Sequence, residues 1–394
     1  MRVGMVVFAN KWTGAGAVAE LNCRALHRIG IDARLLFVGG RNFERRLDGH
    51  PWATPGLVKE RNPTHLRTNL QSVESLADKC DVLICHLPHD HLLCVTAGAH
   101  RRAPLIRAFR NPRHIRPDPY HRYLDRRLTA ALCSHSALGS DLRRAAPDLP
   151  VAVLPVPLED RFKPGDGSRW RERLGITSGA PVIGVVGKLA EGRGFRLLLD
   201  TAARLEAPAR VVVVGHGELQ PQLKKHAHDL GLHGRVHWAG YQDDALPELY
   251  SAMDVVLFTG PGSDWGHRAI SEAQGCGRPV VAVSCLGVED LVEEGVTGRI
   301  VPRNPSDVAR AVDSFIANPK VSLRIGNAAA TASENRKLAT VGGDFSRFLE
   351  DVLSQAEPDE PDEKPSSRHH SPGSIALRRL LSLAPTGRHP RGPQ

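Results

Sequence analysis

Short apolar runs rich in β-branched residues alternate with stretches of helical periodicity along most of this chain, and that alternation restricts it to α/β architectures with parallel sheets. Val3 to Phe8 reads as a buried first strand, and Val18, Leu21, Ala25 and Ile29 follow at the spacing of one helix face. The runs Asp81 to Cys85, Pro104 to Ile106, Ala130 to Cys133 and Val151 to Leu154 complete a first doubly wound unit. Prolines and charges displace the periodicity over Pro155 to Pro164, which places the connection between domains there. A second unit opens with Val182 to Gly187 and continues through Arg210 to Val214, Val236 to Trp238, Val255 to Phe258 and Val280 to Val283. Asn304-Pro305-Ser306-Asp307 supplies the cap, first-turn proline and early acid of a helix start, with Val308, Val312, Phe315 and Ile316 on its inner face.

A length of 394 residues fits two such domains with an appendage. The pattern predicts a first domain over 1–160, a second over 161–335, and a C-terminal helix over 336–355 packing back toward the first. From 356 to 394 the chain turns into Glu, Pro and Asp and then Ser, His and Pro, a composition that predicts a disordered tail.

The net charge of +9 is unevenly spread. Residues 1–150 hold 23 Lys and Arg against 13 Asp and Glu, and 101–150 alone holds 11 Arg against 4 Asp. Such a face attracts an anionic partner, a phosphorylated acceptor or an acidic lipid surface. No aromatic platform accompanies the arginines, so nucleic acid is not the expected partner. No stretch has the apolar length of a membrane span or a signal peptide, and the seven cysteines include no Cys-x-x-Cys pair, which predicts a cytoplasmic protein, at most peripheral on the inner face of a membrane. Cys80, Cys85, His86, His89, His91 and Cys94 crowd together, but they meet no established ligand spacing and Cys85 belongs to an apolar strand. No resident metal is expected.

Three constellations could carry chemistry. Gly14 and Gly16 open the helix after the first strand, where backbone N–H groups can approach a phosphate. A tight strand-to-helix turn explains them equally well. Gly187-Lys188-Leu189-Ala190-Glu191-Gly192-Arg193-Gly194 places two cations five residues apart after a parallel strand, at the edge where open α/β sheets bind ligands. The third runs from Gly262 to Ala273: Asp264 stands at the mouth of a helix, Glu272 lies inside it, and Gly275-Cys276-Gly277-Arg278-Pro279-Val280-Val281 follows.

Together these pieces resemble the retaining nucleotide-sugar glycosyltransferases of family 4, whose GT-B fold sets two Rossmann-like domains facing across a cleft. The resemblance spans about residues 1–355 and is strongest over 181–302. The family's two glutamates separated by seven residues correspond to Asp264 and Glu272. Its Gly-Arg-Leu-x-x-x-Lys-Gly loop corresponds to Gly187 to Gly194, with the two cation types exchanged at Lys188 and Arg193. Gly215-His216-Gly217 is similar to its Gly-x-Gly turn, and His267 replaces a glycine that commonly meets the donor.

The resemblance implies a hexosyl transfer from a UDP- or GDP-type sugar to a glycan, lipid-linked or small-molecule acceptor, with the anomeric configuration retained and no cofactor or metal. Envelope or polysaccharide glycoconjugate synthesis is the implied setting. Asp264, Lys188 and Arg193 would be catalytic; Gly14, Gly16, Gly187, Gly215, Gly266, His267, Arg268 and Glu272 would bind the donor, with Glu272 on the ribose. If a protonated His267 donates to the leaving phosphate, turnover should fall as pH rises through its pKa. The family often shows a histidine after the strand matching Pro104 to Phe109, where this chain offers Arg107, Arg110 and His114; with His86 and His89 these are the acceptor-side candidates. Two alternatives stay open on the residues alone: a catalytically silent sugar-nucleotide-binding subunit, and a sugar-nucleotide epimerase on the same fold.

Overall fold

A computed structural model describes residues 1–9, 12–59, 62–116, 118–177, 179–260 and 264–355, with the side chains of 41, 42 and 264–266 excluded. The expected disordered tail and residues 261–263 of the acidic loop lie outside the described residues. The described chain forms two compact units, one comprising residues 1–134, 138–154 and 342–355, the other residues 135–137 and 155–341.

The first unit is built on a seven-stranded sheet: β1 (Arg2–Val7), β2 (Asp32–Val38), β3 (Ala53–Leu57), β4 (Val82–Cys85), β5 (Leu105–Phe109), β6 (Ala130–Cys133) and β7 (Val151–Val153). Its strand order is β3-β2-β1-β4-β5-β6-β7, and every pairing is parallel. Alternate residues serve opposite faces. Leu83, Cys85, Leu105 and Phe109 join one core, while Val82, Ile84, Ile106 and Ala108 join the other. The helix Leu338–Gln355 contributes Phe345, Leu349 and Val352 to that second core.

β2 and β3 are additional to the strands read above. Leu35, Leu36, Phe37 and Val38 are all buried, so β2 has the composition of an interior strand. β3 contains Pro55 and Gly56, which hid it; its edge position leaves one side unpaired, where a proline is tolerated. Ile29 also departs from the helix face assigned to it: it caps the helix Gly14–Arg28 and is 37% exposed.

The second unit holds β8 (Val182–Val186), β9 (Arg210–Val214), β10 (Val236–Gly240), β11 (Val255–Phe258), β12 (Val280–Val283) and β13 (Gly298–Val301), ordered β10-β9-β8-β11-β12-β13, again all parallel. In the helix Pro305–Ala317, Asn304 accepts the Asp307 N–H at 2.9 Å, and Val308, Val312 and Phe315 are buried. Each sheet reverses its order once, between β1 and β4 and between β8 and β11. Parallel strands that diverge at such a point open a crevice at their carboxyl ends, the general ligand position in doubly wound sheets. With two such units the chain has the GT-B fold.

Candidate functional site

In the second unit, the loops after β8, β9 and β11 meet through backbone contacts that exclude side chains. Gly215 has φ +140°, and a Cβ there would stand 1.8 Å from the Gly187 carbonyl oxygen. A Cβ on Gly217 would come within 2.1 Å of the Leu189 oxygen, and one on Gly194, at φ +81°, within 2.0 Å of the Thr259 oxygen. Gly187 N–H donates to Val214 at 3.0 Å and Leu189 N–H to His216 at 3.1 Å, closing the loops on one another. The glycines at 187, 194, 215 and 217 therefore form one backbone surface at the switch point.

Lys188 and Arg193 stand on this surface, both exposed. Lys188 lies 3.8 Å from Glu218, with both side chains about two-thirds exposed. An exposed pair of that kind contributes about 0–1 kcal/mol, so Lys188 can exchange it for a phosphate with little loss.

The helix Asp264–Gly275 starts at the same edge, one loop after β11. Asp264 and Gly266 belong to its first turn; the Asp264 side chain lies outside the described residues. His267 is 6% exposed, its Nε2 is 3.7 Å from Cys285 Sγ, and its ring centroid is 5.5 Å from Phe258 and 6.4 Å from His135. Burial, with His135 beside it, pushes the His267 pKa down to about 4. At that value the imidazole is neutral at ordinary pH, and His267 then has one N–H and no charge to give a phosphate.

Glu272 and Arg268, both expected at the donor, are joined to each other instead of standing open. Glu272 Oε2 accepts the Tyr250 hydroxyl at 2.9 Å, and its Oε1 lies 2.5 Å from Arg268 Nε. Arg268 Nη2 donates to Glu159 at 2.7 Å; Arg161 donates to Glu159 at 3.2 Å and to Asp243 at 2.7 Å. Burial raises the Glu272 pKa, while Arg268 and Tyr250 oppose it. Arg268 thus bridges Glu272 and Glu159 within one buried network. Each oxygen of Glu272 keeps a second acceptor position in this arrangement. Tyr250, Glu159 and Arg161 were not legible as members of this group: Glu159 and Arg161 are both more than a hundred positions from Arg268, and no local spacing joins them.

In the first unit, Thr13 caps the helix Gly14–Arg28 and its Oγ1 accepts the Gly16 N–H at 3.3 Å. A Cβ on Gly16 would lie 2.8 Å from the Phe43 ring. Gly16 is thus small because Phe43 packs on it, and its N–H is engaged; the phosphate role expected for Gly16 is corrected accordingly. Gly14 remains the first residue of the helix.

The acceptor-side candidates divide into two groups. Arg107 is interior, 2% exposed, because Leu105, Arg107 and Phe109 project from β5 into one core. Its Nη1 lies 3.3 Å from Asp125 and 3.4 Å from His91 Nδ1, and its guanidinium sits 4.2 Å from the Phe109 ring centroid. It is a core ion, which corrects its assignment as an acceptor contact. His86, Arg110 and His114 lie at the carboxyl edge. Arg110 Nη2 donates to His86 Nδ1 at 2.8 Å, and His114 ends the short helix Pro112–His114. His89 packs against Phe8 in a tilted arrangement, with ring centroids 4.4 Å apart and planes 52° to one another.

A residue that sequence reasoning missed organises this edge. Asp90 is fully buried and accepts the N–H groups of Phe8 at 2.7 Å, Leu87 at 2.7 Å and His86 at 3.2 Å. Burial pushes its pKa up to about 7 against those three hydrogen bonds. The signal was present in Leu87-Pro88-His89-Asp90, a first-turn proline followed by an N3 acid. Cys85 and Cys94, from the crowded segment, are buried in the core. Among the described residues no group of three or more His, Cys, Asp or Glu side chains is placed to hold a metal ion. Nor is any described helix long and apolar enough to cross a membrane.

The comparisons with known proteins fall on the same regions. Residues 166–332 match the family model of glycosyl transferases group 1. A lipopolysaccharide core biosynthesis glycosyltransferase of Rhizobium meliloti is 33% identical over 178 residues, 45% of this chain and 49% of the relative. A D-inositol 3-phosphate glycosyltransferase of Geodermatophilus obscurus is 35% identical over 194 residues, 45% of this chain and 42% of the relative. The match thus spans about half the length of these relatives or less. Among solved structures, the Anabaena protein HepE in complex with UDP and glucose superposes with a TM-score of 0.76 at 21% identity, covering 89% of this chain and all of that one. With the sequence match and the strand order in agreement, the second unit of this GT-B chain carries a domain of the glycosyl transferases group 1 family.

Proposed function

We propose that this chain is a glycosyltransferase that moves a sugar from a UDP- or GDP-type donor to an acceptor with retention of configuration. The observation that carries the reading is the placement of Lys188 and Arg193 on the glycine-closed edge of the second sheet. Breaking an anomeric C–O bond leaves negative charge on the departing diphosphate. Two exposed cations and the start of the helix Asp264–Gly275 are suited to stabilise that charge where it develops. These groups make a resident metal unnecessary in this reading. Glu272 takes the ribose hydroxyls through its remaining acceptor positions, and Asp264 takes hydroxyls of the donor sugar. Gly14, at the opening of the first unit's helix, is assigned to the donor phosphates.

The first unit takes the acceptor, a glycan, a lipid-linked sugar or a small molecule. The names of the two relatives, one acting in lipopolysaccharide core synthesis and one on D-inositol 3-phosphate, support acceptors rich in hydroxyl groups. A cytoplasmic enzyme of envelope or polysaccharide synthesis is consistent with that range. The basic segment from Arg101 to Arg127 supports peripheral contact with an anionic membrane.

Thermal shift with UDP-, GDP- and ADP-sugars tests the donor assignment, because a ligand that binds only the folded state raises its stability. One nucleotide class should raise the melting temperature, and transfer should continue after exhaustive chelation. No stabilisation by any nucleotide sugar would overturn the reading; loss of transfer restored by Mg²⁺ or Mn²⁺ would overturn its metal-independent form.

A further inference from the structure

His86 is 1% exposed and carries an unused polar atom. Its Nδ1 accepts from Arg110, and burial with the Arg110 charge beside it holds its pKa well below the ordinary histidine value. A neutral ring that accepts at Nδ1 must carry its proton on Nε2. Among the described residues Nε2 has no hydrogen-bond partner. A buried donor left unpaired is disfavoured, and a ligand oxygen that accepts from it removes the deficit.

The segment that supplies Arg110 is one-sided in charge. Residues 101–117 contain six arginines and no acid. Arg102 is offset by Glu74 and Asp78, and Arg107 by Asp125. Arg116 Nε donates to the Arg113 carbonyl oxygen, an uncharged partner. His114 is half-buried, and beyond burial its pKa is lowered by Arg107, Arg116 and Arg110, so three guanidinium groups act on one imidazole. Asp90, the carboxylate nearest in sequence to His86, is taken up by three backbone N–H groups.

We propose that the carboxyl edge of β4 and β5 is an oxyanion-binding subsite, in which His86 Nε2–H donates to a phosphate or carboxylate group and Arg110, His114 and Arg116 surround it. The proposal rests on the transferase reading only in naming the acceptor as the carrier of that group. A neutral N–H donor beside guanidinium groups binds an anion without a proton having to move.

The test uses the full chain saturated with UDP, so that added phosphate does not report on Lys188 and Arg193. Inorganic phosphate is titrated by calorimetry and by the ring N–H signals of the histidines, with His86 assigned by its absence in His86→Gln. Saturable binding, a shift of the His86 signal, and affinity weakened roughly tenfold or more in Arg110→Gln at unchanged UDP affinity are the expected results. Glycerol 3-phosphate and glycerate, titrated against glycerol, separate a phosphate ester from a carboxylate as the preferred group. Absence of saturable binding by all three anions, or equal affinities in wild type and Arg110→Gln, overturns the proposal. Should Arg110→Gln lose UDP affinity as well, the wild-type His86 signal decides: unmoved by phosphate, it overturns the subsite. Failure of UDP to bind moves the same titrations to GDP; failure of both nucleotides counts against the transferase reading, and saturable phosphate binding would leave the subsite standing.

Discussion

Arg268 and Glu272 lie one helical turn apart with 2.5 Å between Nε and Oε1, each nearly removed from solvent. The pair ties the helix that opens at the ligand edge to Glu159 in the connecting segment and to Tyr250 in the preceding helix. Removing one partner of a buried pair strands the other charge and costs about 3–5 kcal/mol. Arg268→Met should therefore lower the unfolding free energy by about that amount in urea titrations, whereas Tyr250→Phe, which removes one hydrogen bond, should cost about 1–3 kcal/mol. Equal, small effects would show that the network does not hold the helix.

His267 gives a pH prediction with a defined sign. Its folded pKa of about 4 lies below the ordinary value of 6.5, so the unfolded chain takes up a proton first as pH falls. The stability due to its neutral burial is complete above 6.5 and is lost as pH drops toward 4. The loss relative to His267→Asn should reach at most about 3 kcal/mol. Turnover should show no limb between pH 6 and 8 that disappears in that variant. A ring titrating near 6.5 by NMR would contradict the buried neutral assignment.

The loop glycines offer an internal control. Gly215 and Gly194 combine positive φ with carbonyl oxygens at 1.8 and 2.0 Å from an added Cβ, while Gly231, at φ +70°, has nothing within 4 Å. Gly231→Ala should cost about 1 kcal/mol from backbone strain alone. Gly215→Ala and Gly194→Ala should cost more, by about 1–3 kcal/mol, and should also weaken nucleotide binding because the loops must separate. Equal costs at all three positions would remove the close-approach explanation.

The parts of the molecule that were legible in the sequence are those with local signatures. Parallel strands buried on both faces read as apolar runs, and Asn304-Pro305-Ser306-Asp307 announces its helix. The Gly187 to Gly194 loop revealed itself through its glycines, of which Gly192 and Gly194 adopt positive φ and Gly194 is also confined by the Thr259 carbonyl. Pro55 and Gly56 concealed β3, since an edge strand needs fewer strand-forming residues. Arg107 looked like surface charge but lies in a core, held by Asp125 eighteen positions away. Asp90 had a local signature as the N3 acid of its helix, but its bond to Phe8, 82 positions away, and the Glu159–Arg268 pair, 109 apart, are encoded by no periodicity.

Asp264 and Glu272 should fail differently under substitution. Glu272→Gln keeps the acceptor geometry on one oxygen but strands the Arg268 charge; beyond the stability this costs, the folded variant should mainly show a raised donor KM, since ribose contacts are alike in ground and transition states. Asp264→Asn removes a charge assigned to the reacting sugar and should lower kcat by about 10². Wild-type kcat in Asp264→Asn under saturating donor would show that the role implied for the family's first glutamate does not apply to this chain.

The central claim is that Lys188 and Arg193, on the glycine-closed edge of the second sheet, hold the donor diphosphate. Calorimetric titration of the best-binding nucleoside diphosphate into wild type, Lys188→Ala and Arg193→Ala tests it directly. Charge-assisted hydrogen bonds of about 1.5–3 kcal/mol predict roughly tenfold to hundredfold weaker binding in each variant. Unchanged affinity in both variants would contradict the account.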